Sequence, residues 1–289
     1  MRSALFVPGD RPDRYAKAIA SGADAILIDL EDSVALAAKA QARWTVGEWL
    51  GSDARPQDGP AIFVRLNAFD TETLEDDLAA IMPGAPDGVM LPKAEHGHDV
   101  TRLDALLRVA EAEAGLGDGA TAIIAIVTET AVGVLNAGTY RRSSKRLAAM
   151  TWGAEDLSAD IGALRRRNEV GSYADVFRLA RAQTIIGAVA AGVQPLDTVY
   201  PDIRDLDGFR RECEEAVADG FTGKMAIHPA QVPVINEVFT PSSEAVAEAE
   251  RIVAAFAEAG DPGVLQLDGE MLDRPHLRKA QALLKRTGR

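Results

Sequence analysis

Eight short apolar runs punctuate the chain, and amphipathic, alanine-rich, charge-bearing stretches separate them. The runs are Ala4–Val7, Ala25–Leu30, Ala61–Leu66, Gly88–Leu91, Ala122–Val127, Leu147–Trp152, Pro195–Tyr200 and Lys224–Ile227. Each is short, bulky and β-branched in character, which reads as a strand covered on both faces. The segments 11–21, 35–50, 73–81, 100–114, 130–137, 174–191 and 206–219 read as helices. Strand–helix alternation predicts a parallel sheet. Eight such strands in 289 residues predict a closed (β/α)₈ TIM barrel. The alternative, an open doubly wound sheet, lacks the G-x-G-x-x-G that would follow its first strand.

The pattern changes after Pro241. A helix at 243–259 is followed by the break Gly260-Asp-Pro-Gly263, a hairpin-like stretch at 264–273 and a basic helix at 276–286. The expected organisation is a catalytic barrel over 1–240 and, over 241–289, a C-terminal helix and hairpin serving as a lid or oligomerisation extension.

Polar residues gather where each apolar run stops, as in Pro8-Gly-Asp10, Glu31-Asp32, Arg65-Leu-Asn67, Pro92-Lys93, Thr128-Glu129, Glu155-Asp156, Tyr200-Pro-Asp202 and His228-Pro229. In a barrel these positions form the C-terminal face, where active sites are built. A purely structural barrel has no reason to place so many charges there, so the pattern points to an enzyme.

Charge narrows the partners. The net charge of -13 and pI near 4.8 argue against nucleic acid or an anionic membrane as partner, though not against a small anion in a local basic pocket. The single cysteine, Cys213, excludes an intrachain disulfide and reads as a passive thiol in a charged helix. That fits a reducing cytoplasm, the expected location. Met1–Pro8 is too short for a signal-peptide core, and no apolar run reaches membrane-spanning length.

Glu129 and Asp156 end consecutive runs. A carboxylate at the exit of a buried strand is costly unless paired. Two on neighbouring strands suit a hard divalent cation such as Mg²⁺, which keeps substrate or water in the rest of its shell. The bland alternative is that each pairs with an Arg or caps a helix. Glu31 and Asp32 could support such ligands from behind, or cap the helix after Ser33. Arg65 interrupts an apolar strand, where it could hold a substrate carboxylate or a developing oxyanion. The alternative there is an ion pair with Glu31 or Asp32, and both roles can coexist. Lys93 is a weaker, Schiff-base candidate. In the first loop, Phe6, Arg11 and Lys17 could hold a nucleotide's ring and phosphates near a helix N-terminus. His96 and His98 look like a metal pair but read better as a solvated loop. His228 reads as a site wall.

Together these segments resemble the citrate lyase β-subunit-like family. The resemblance rests on Leu-Phe-Val-Pro-Gly-Asp-Arg-Pro at 5–12, Ile-Asp-Leu-Glu-Asp-Ser-Val at 28–34, Val-Arg-Leu-Asn at 64–67 and Leu-Pro-Lys at 91–93. It extends through Glu129 in Thr-Glu-Thr, Gly-Ala-Glu-Asp-Leu at 153–157 and Ala-Ile-His-Pro-Ala-Gln at 226–231. It implies a Mg²⁺-dependent lyase acting on malyl-CoA, citramalyl-CoA or citryl-CoA, yielding a 2-oxo acid and acetyl-CoA. It also implies that Glu129 and Asp156 hold the metal, that Arg65 binds substrate, and that Phe6, Arg11 and Lys17 contact CoA. Asp273 matches a lid aspartate that reaches a neighbouring subunit, and the assembly implied is a homotrimer or hexamer. Alternatives are a malate synthase-like thioesterase, a pyruvate aldolase, and a non-catalytic citrate-lyase-type subunit.

Overall fold

The computed structural model describes residues 1–56, 58–169 and 171–287. Its chain divides into two units, Met1–Asn236 and Glu237–Arg289. In the first, parallel strands alternate with helices: β1 Ser3–Pro8, α1 Tyr15–Ile19, β2 Ala25–Asp29, α2 Lys39–Leu50, β3 Ala61–Arg65, α3 Leu74–Ile81, β4 Gly88–Leu91 and α4 Gly97–Glu113. The series continues with β5 Ala122–Ile126, α5 Ala131–Asn136, β6 Leu147–Thr151, α6 Ala154–Asp160, α7 Asp175–Ala191, β7 Gln194–Asp197, α8 Leu206–Asp219, β8 Gly223–Ala226 and α9 Val232–Val238. The strands close in sequence order, with Ser3–Leu5 of β1 paired to Lys224–Ala226 of β8. The fold is the (β/α)₈ barrel that the alternation predicts.

Local chemistry fixes the helix ends. Asp99 and His96 form a capping box at the start of α4, and Asp205 caps α8 by accepting from the Gly208 N–H at 2.8 Å. The barrel interior is filled by Ala4, Leu27, Phe63, Met90, Ile124, Ala149, Leu196 and Met225 among others, so it is a packed core and not a channel. Space for a ligand is left at the C-terminal ends.

Three differences from the pattern reading matter. The segment 11–21 splits into a 3-10 turn, Pro12–Arg14, and the short α1. Strand β7 stops at Asp197, so Thr198 and Val199 leave the ladder and face the site. Helices α6 and α9 have only seven residues each, too few to show a 3.6-residue apolar period.

At the N-terminal end of the barrel, Arg146 precedes β6 and is nearly buried. It bonds Glu111 at 2.5 and 2.7 Å, Asp104 at 2.6 Å and Asp118 at 2.8 Å. Glu111 also accepts the backbone N–H groups of Gly119 and Thr121. Burial alone would raise the Glu111 carboxyl, but Arg146 and these amides bring it down to about 2. Replacing Arg146 by Ala leaves that carboxylate buried without its cation. Urea denaturation is expected to show a loss of about 3–5 kcal/mol, with little effect on the chemistry of the molecules that remain folded.

The second unit contains α10 Ser243–Glu258, the antiparallel hairpin β9 Val264–Leu267 and β10 Glu270–Asp273, and α11 Arg274–Arg286. Phe256, Leu272 and Leu277 form its core. Ser242 caps α10, and Asp273 caps α11 in a box with His276. Among the described residues no helix is long and apolar enough to cross a membrane.

Candidate active site

Two adjacent strands end on opposite charges. Asp29 of β2 and Arg65 of β3 are register partners. The guanidinium grips the carboxylate with Nε–Oδ1 at 2.6 Å and Nη2–Oδ2 at 2.7 Å. Such a bidentate fork fixes the orientation of the Arg as well as its charge. Its free edge meets Glu31 at 2.8 Å, while Asp32 stands 4.0 Å away and is half-exposed. The expected ion pair therefore exists, but its main anion is Asp29, which lies within the apolar run Ala25–Leu30. Burial would weaken the guanidinium's hold on its proton; the charges of Asp29 and Glu31 more than offset this and raise it. The Phe6 ring lies under the Arg65 cation at 5.0 Å from its centroid.

Glu129 follows β5 and is buried. Asp156 lies in the first turn of α6 and is partly exposed. Lys93, just past β4, touches both. Its backbone N–H donates to Glu129 Oε2 at 2.6 Å, and its ammonium stands 3.2 Å from Asp156 Oδ1 while also bonding Glu31. Lys93 adopts the left-handed region, φ 50°, which turns its N–H and its side chain toward the two acids.

Glycine at 153 is required by close approach. A Cβ there would fall 2.6 Å from Glu129 Cγ and 2.7 Å from Oε1, so only Gly leaves space around that carboxylate. Burial pushes the Glu129 carboxyl up to about 8, and the charges of Asp156 and Glu31 add to the shift. A cation between Glu129 and Asp156 would remove this cost. Two carboxylates with no nearby thiolate fit a hard, oxygen-preferring ion such as Mg²⁺.

These groups open on a cavity of about 440 Å³. Its polar lining includes Asp29, Arg65, Glu129 and Asp156, and its walls include Phe6, Ile126, Trp152, Val199, Met225 and Ile227. A second cavity, about 350 Å³, shares Phe6 and Arg14 with the first and adds Lys17 and His228. Of the residues expected to meet a nucleotide, Phe6 and Lys17 reach this space. Arg11 does not; it forms a two-point ion pair with Asp13, at 3.0 and 2.9 Å, and lines neither cavity. Arg14, one turn on, lines both. His228 is a wall residue whose Nδ1 accepts the Ala230 N–H at 3.1 Å, leaving Nε2 as the protonated nitrogen.

Other candidates separate from the site. Glu155 pairs with Arg166. His96 and His98 approach Asp99 closely enough to share an ion, but Asp99 Oδ2 is already occupied by the backbone N–H groups of Glu95 and His96 at the start of α4. A helix N-terminus also disfavours a cation. Cys213 is buried, which pushes its thiol up to about 12, so it is unreactive. Asp273 belongs to the second unit, with Oδ1 2.6 Å from His276 Nδ1. Sequence reasoning missed Asp29 and Arg14; it singled out Lys93, but as a Schiff-base lysine and not as the group that bridges Glu129, Asp156 and Glu31. For Asp29 a signal existed: a lone acid inside an apolar run, at the same strand-end position as Arg65.

A family model for HpcH/HpaI aldolase/citrate lyase matches residues 2–229. The chain belongs to that family. A citrate lyase subunit beta-like protein of Mycobacterium tuberculosis is 37% identical over 98% of this chain and 94% of the relative. An L-malyl-CoA/beta-methylmalyl-CoA lyase of Cereibacter sphaeroides is 33% identical over 98% and 93%. Among solved structures, the CitE protein of M. tuberculosis in complex with magnesium, acetoacetate and coenzyme A is 36% identical. It covers 100% of this chain and 98% of its own, with a TM-score of 0.79. Family membership makes the chain a lyase and agrees with the resemblance drawn from its motifs.

Proposed function

We propose that the protein is a magnesium-dependent carbon–carbon lyase that reversibly splits a 3-hydroxy-carboxyacyl-CoA into a 2-oxo acid and acetyl-CoA. The observation that carries this is the meeting of Glu129, Asp156 and the Asp29-clamped Arg65 in one cavity. Relatives that bind magnesium and coenzyme A, or are named malyl-CoA lyases, support it. Glu129 and Asp156 would hold Mg²⁺, which when bound supplies Lewis acidity toward the substrate's carboxylate and hydroxyl oxygens.

Arg65 stabilises the enolate oxygen that forms as the carbon–carbon electrons move onto the departing thioester. Its fork on Asp29 keeps the guanidinium from turning away. Glu31 sits behind it, bonded to Lys93, and Asp32 extends that acidic support. Asp273, supplied by a neighbouring copy in a trimer or hexamer, gives the enolate its proton, and the proton that the 3-hydroxyl loses as it becomes the 2-oxo group passes to water. Phe6, Arg14 and Lys17 receive the CoA moiety. Arg14→Ala is expected to raise KM for the CoA ester about tenfold, the loss of one charge-assisted contact of about 1.4 kcal/mol. Arg11→Ala should stay within twofold, as steady-state kinetics on both variants will show.

The apolar walls favour a small 2-oxo acid. Ile126, Val199, Met225 and Ile227 suit a hydrogen or methyl substituent, whereas a second acidic arm would find, among the described lining cations, only Arg14, since Arg65 serves the enolate oxygen. This favours malyl- or citramalyl-CoA over citryl-CoA. The test is purified protein with each of the three esters, Mg²⁺ and then EDTA. Release of 2-oxo acid and acetyl-CoA, lost on chelation, is the expected result. No cleavage, or cleavage indifferent to EDTA, would overturn the proposal, and free CoA as product would mark a thioesterase instead.

A further inference from the structure

The seam between β6 and β7 is short. Only Ala149↔Gln194 and Met150↔Pro195 are registered partners, whereas β1 and β2 share five pairs. Toward the C-terminal ends, on the side of the cavity, the backbone ladder between these strands therefore stops early, although β6 leads directly into Gly153 and Asp156.

Side chains take over where the ladder stops. The buried indole of Trp152 donates from Nε1 to Asp197 Oδ1 at 2.8 Å, across from the end of β6 to the end of β7. Asp197 is held in turn by its register partner on β8, Lys224, at 2.6 Å. Lys224 reaches Glu212 on α8 at 3.0 Å. Arg181 of α7 approaches Asp197 at 3.5 Å, and the Tyr173 ring closes on the indole edge-to-face at 5.0 Å. Both ends of the indole bond are thus rigid. The residue after Trp152 is Gly153, whose backbone rests against the Glu129 carboxylate, and Asp156 follows three residues later.

We propose that Trp152 and Asp197 form a clamp that replaces the missing ladder and sets the spacing of the Glu129–Asp156 pair. Asp197 is a positioning residue, acting through Trp152 and backed by Lys224, and it touches no substrate. A buried polar chain used only to hold the barrel together would confer stability without bearing on metal affinity. A clamp on the ligand loop sets both.

The inference rests on Glu129 and Asp156 binding a divalent ion, and the experiment separates the two. Mn²⁺ is titrated by electron paramagnetic resonance into wild-type protein and into Trp152→Phe, which keeps a buried ring but removes the N–H. Wild-type protein that fails to bind Mn²⁺ defeats the metal reading itself. Given wild-type binding, Trp152→Phe is expected to weaken Mn²⁺ about tenfold, the usual scale for a group that orients a metal ligand. Its circular dichroism and cooperative melting should remain native. Asp197→Asn, which keeps an oxygen to accept the indole N–H, is expected to lose stability yet stay within about threefold of wild-type affinity, while Asp197→Leu loses tenfold. Mn²⁺ affinity within twofold of wild type in a folded Trp152→Phe variant would overturn the clamp, as would equal losses in Asp197→Asn and Asp197→Leu.

Discussion

Glu129→Gln is expected to abolish cleavage while leaving the protein at least as stable as its parent. The carboxylate is buried and faces the charges of Asp156 and Glu31. Gln keeps an oxygen to accept the Lys93 N–H and fits the space that Gly153 leaves open, but it brings no charge. Like-charge repulsion falls, so melting in EDTA should occur at an unchanged or higher temperature. Metal affinity should fall with the loss of a charged ligand. Lewis-acid stabilisation of several kcal/mol then disappears, which corresponds to a drop in kcat/KM on the order of 10³-fold or more. Parent protein should melt at a higher temperature when Mg²⁺ is added, because a ligand of the native state stabilises it by mass action. The variant should show no such rise. A Glu129→Gln enzyme that still cleaves with Mg²⁺, or a parent whose melting ignores Mg²⁺, contradicts the assignment.

Much of this site was legible in the chain because a parallel barrel converts order into place. Each apolar run ends at the same face, so Glu31, Arg65, Glu129 and Asp156 could be assigned to one surface from position alone. Apart from the Arg65–Glu31 pair, what could not be read was which neighbours they choose. Asp29 was hidden in a run that otherwise looked uniformly apolar, and only strand register sets it opposite Arg65. Lys93 contributes through a left-handed backbone, which follows from no local spacing. Arg11 and Arg14 differ by three residues in an exposed loop, and the choice between them is decided by Asp13, which captures Arg11. The short α6 carries Asp156 but is too brief to announce itself by periodicity. Long-range pairing and backbone conformation, more than side-chain type, were the unread part.

Arg65 separates stability from catalysis most clearly. Arg65→Met removes the cation from Asp29, which is nearly inaccessible, and from Glu31. Leaving those carboxylates buried and unpaired is expected to cost about 3–5 kcal/mol in urea denaturation. Activity should fall 10²–10³-fold in kcat, the usual loss when one preorganised oxyanion donor is removed. Arg65→Lys keeps a charge but cannot span both Asp29 oxygens in a planar fork, so it should recover part of the stability and little of the rate. The double variant Arg65→Met/Asp29→Asn decides the matter. With the main anion neutralised, stability should return to within about 1–2 kcal/mol of wild type, since replacing both members of a buried pair is far less costly than breaking it. The rate should not return. If it does, Arg65 serves only to neutralise Asp29, and the enolate must be stabilised elsewhere in the cavity.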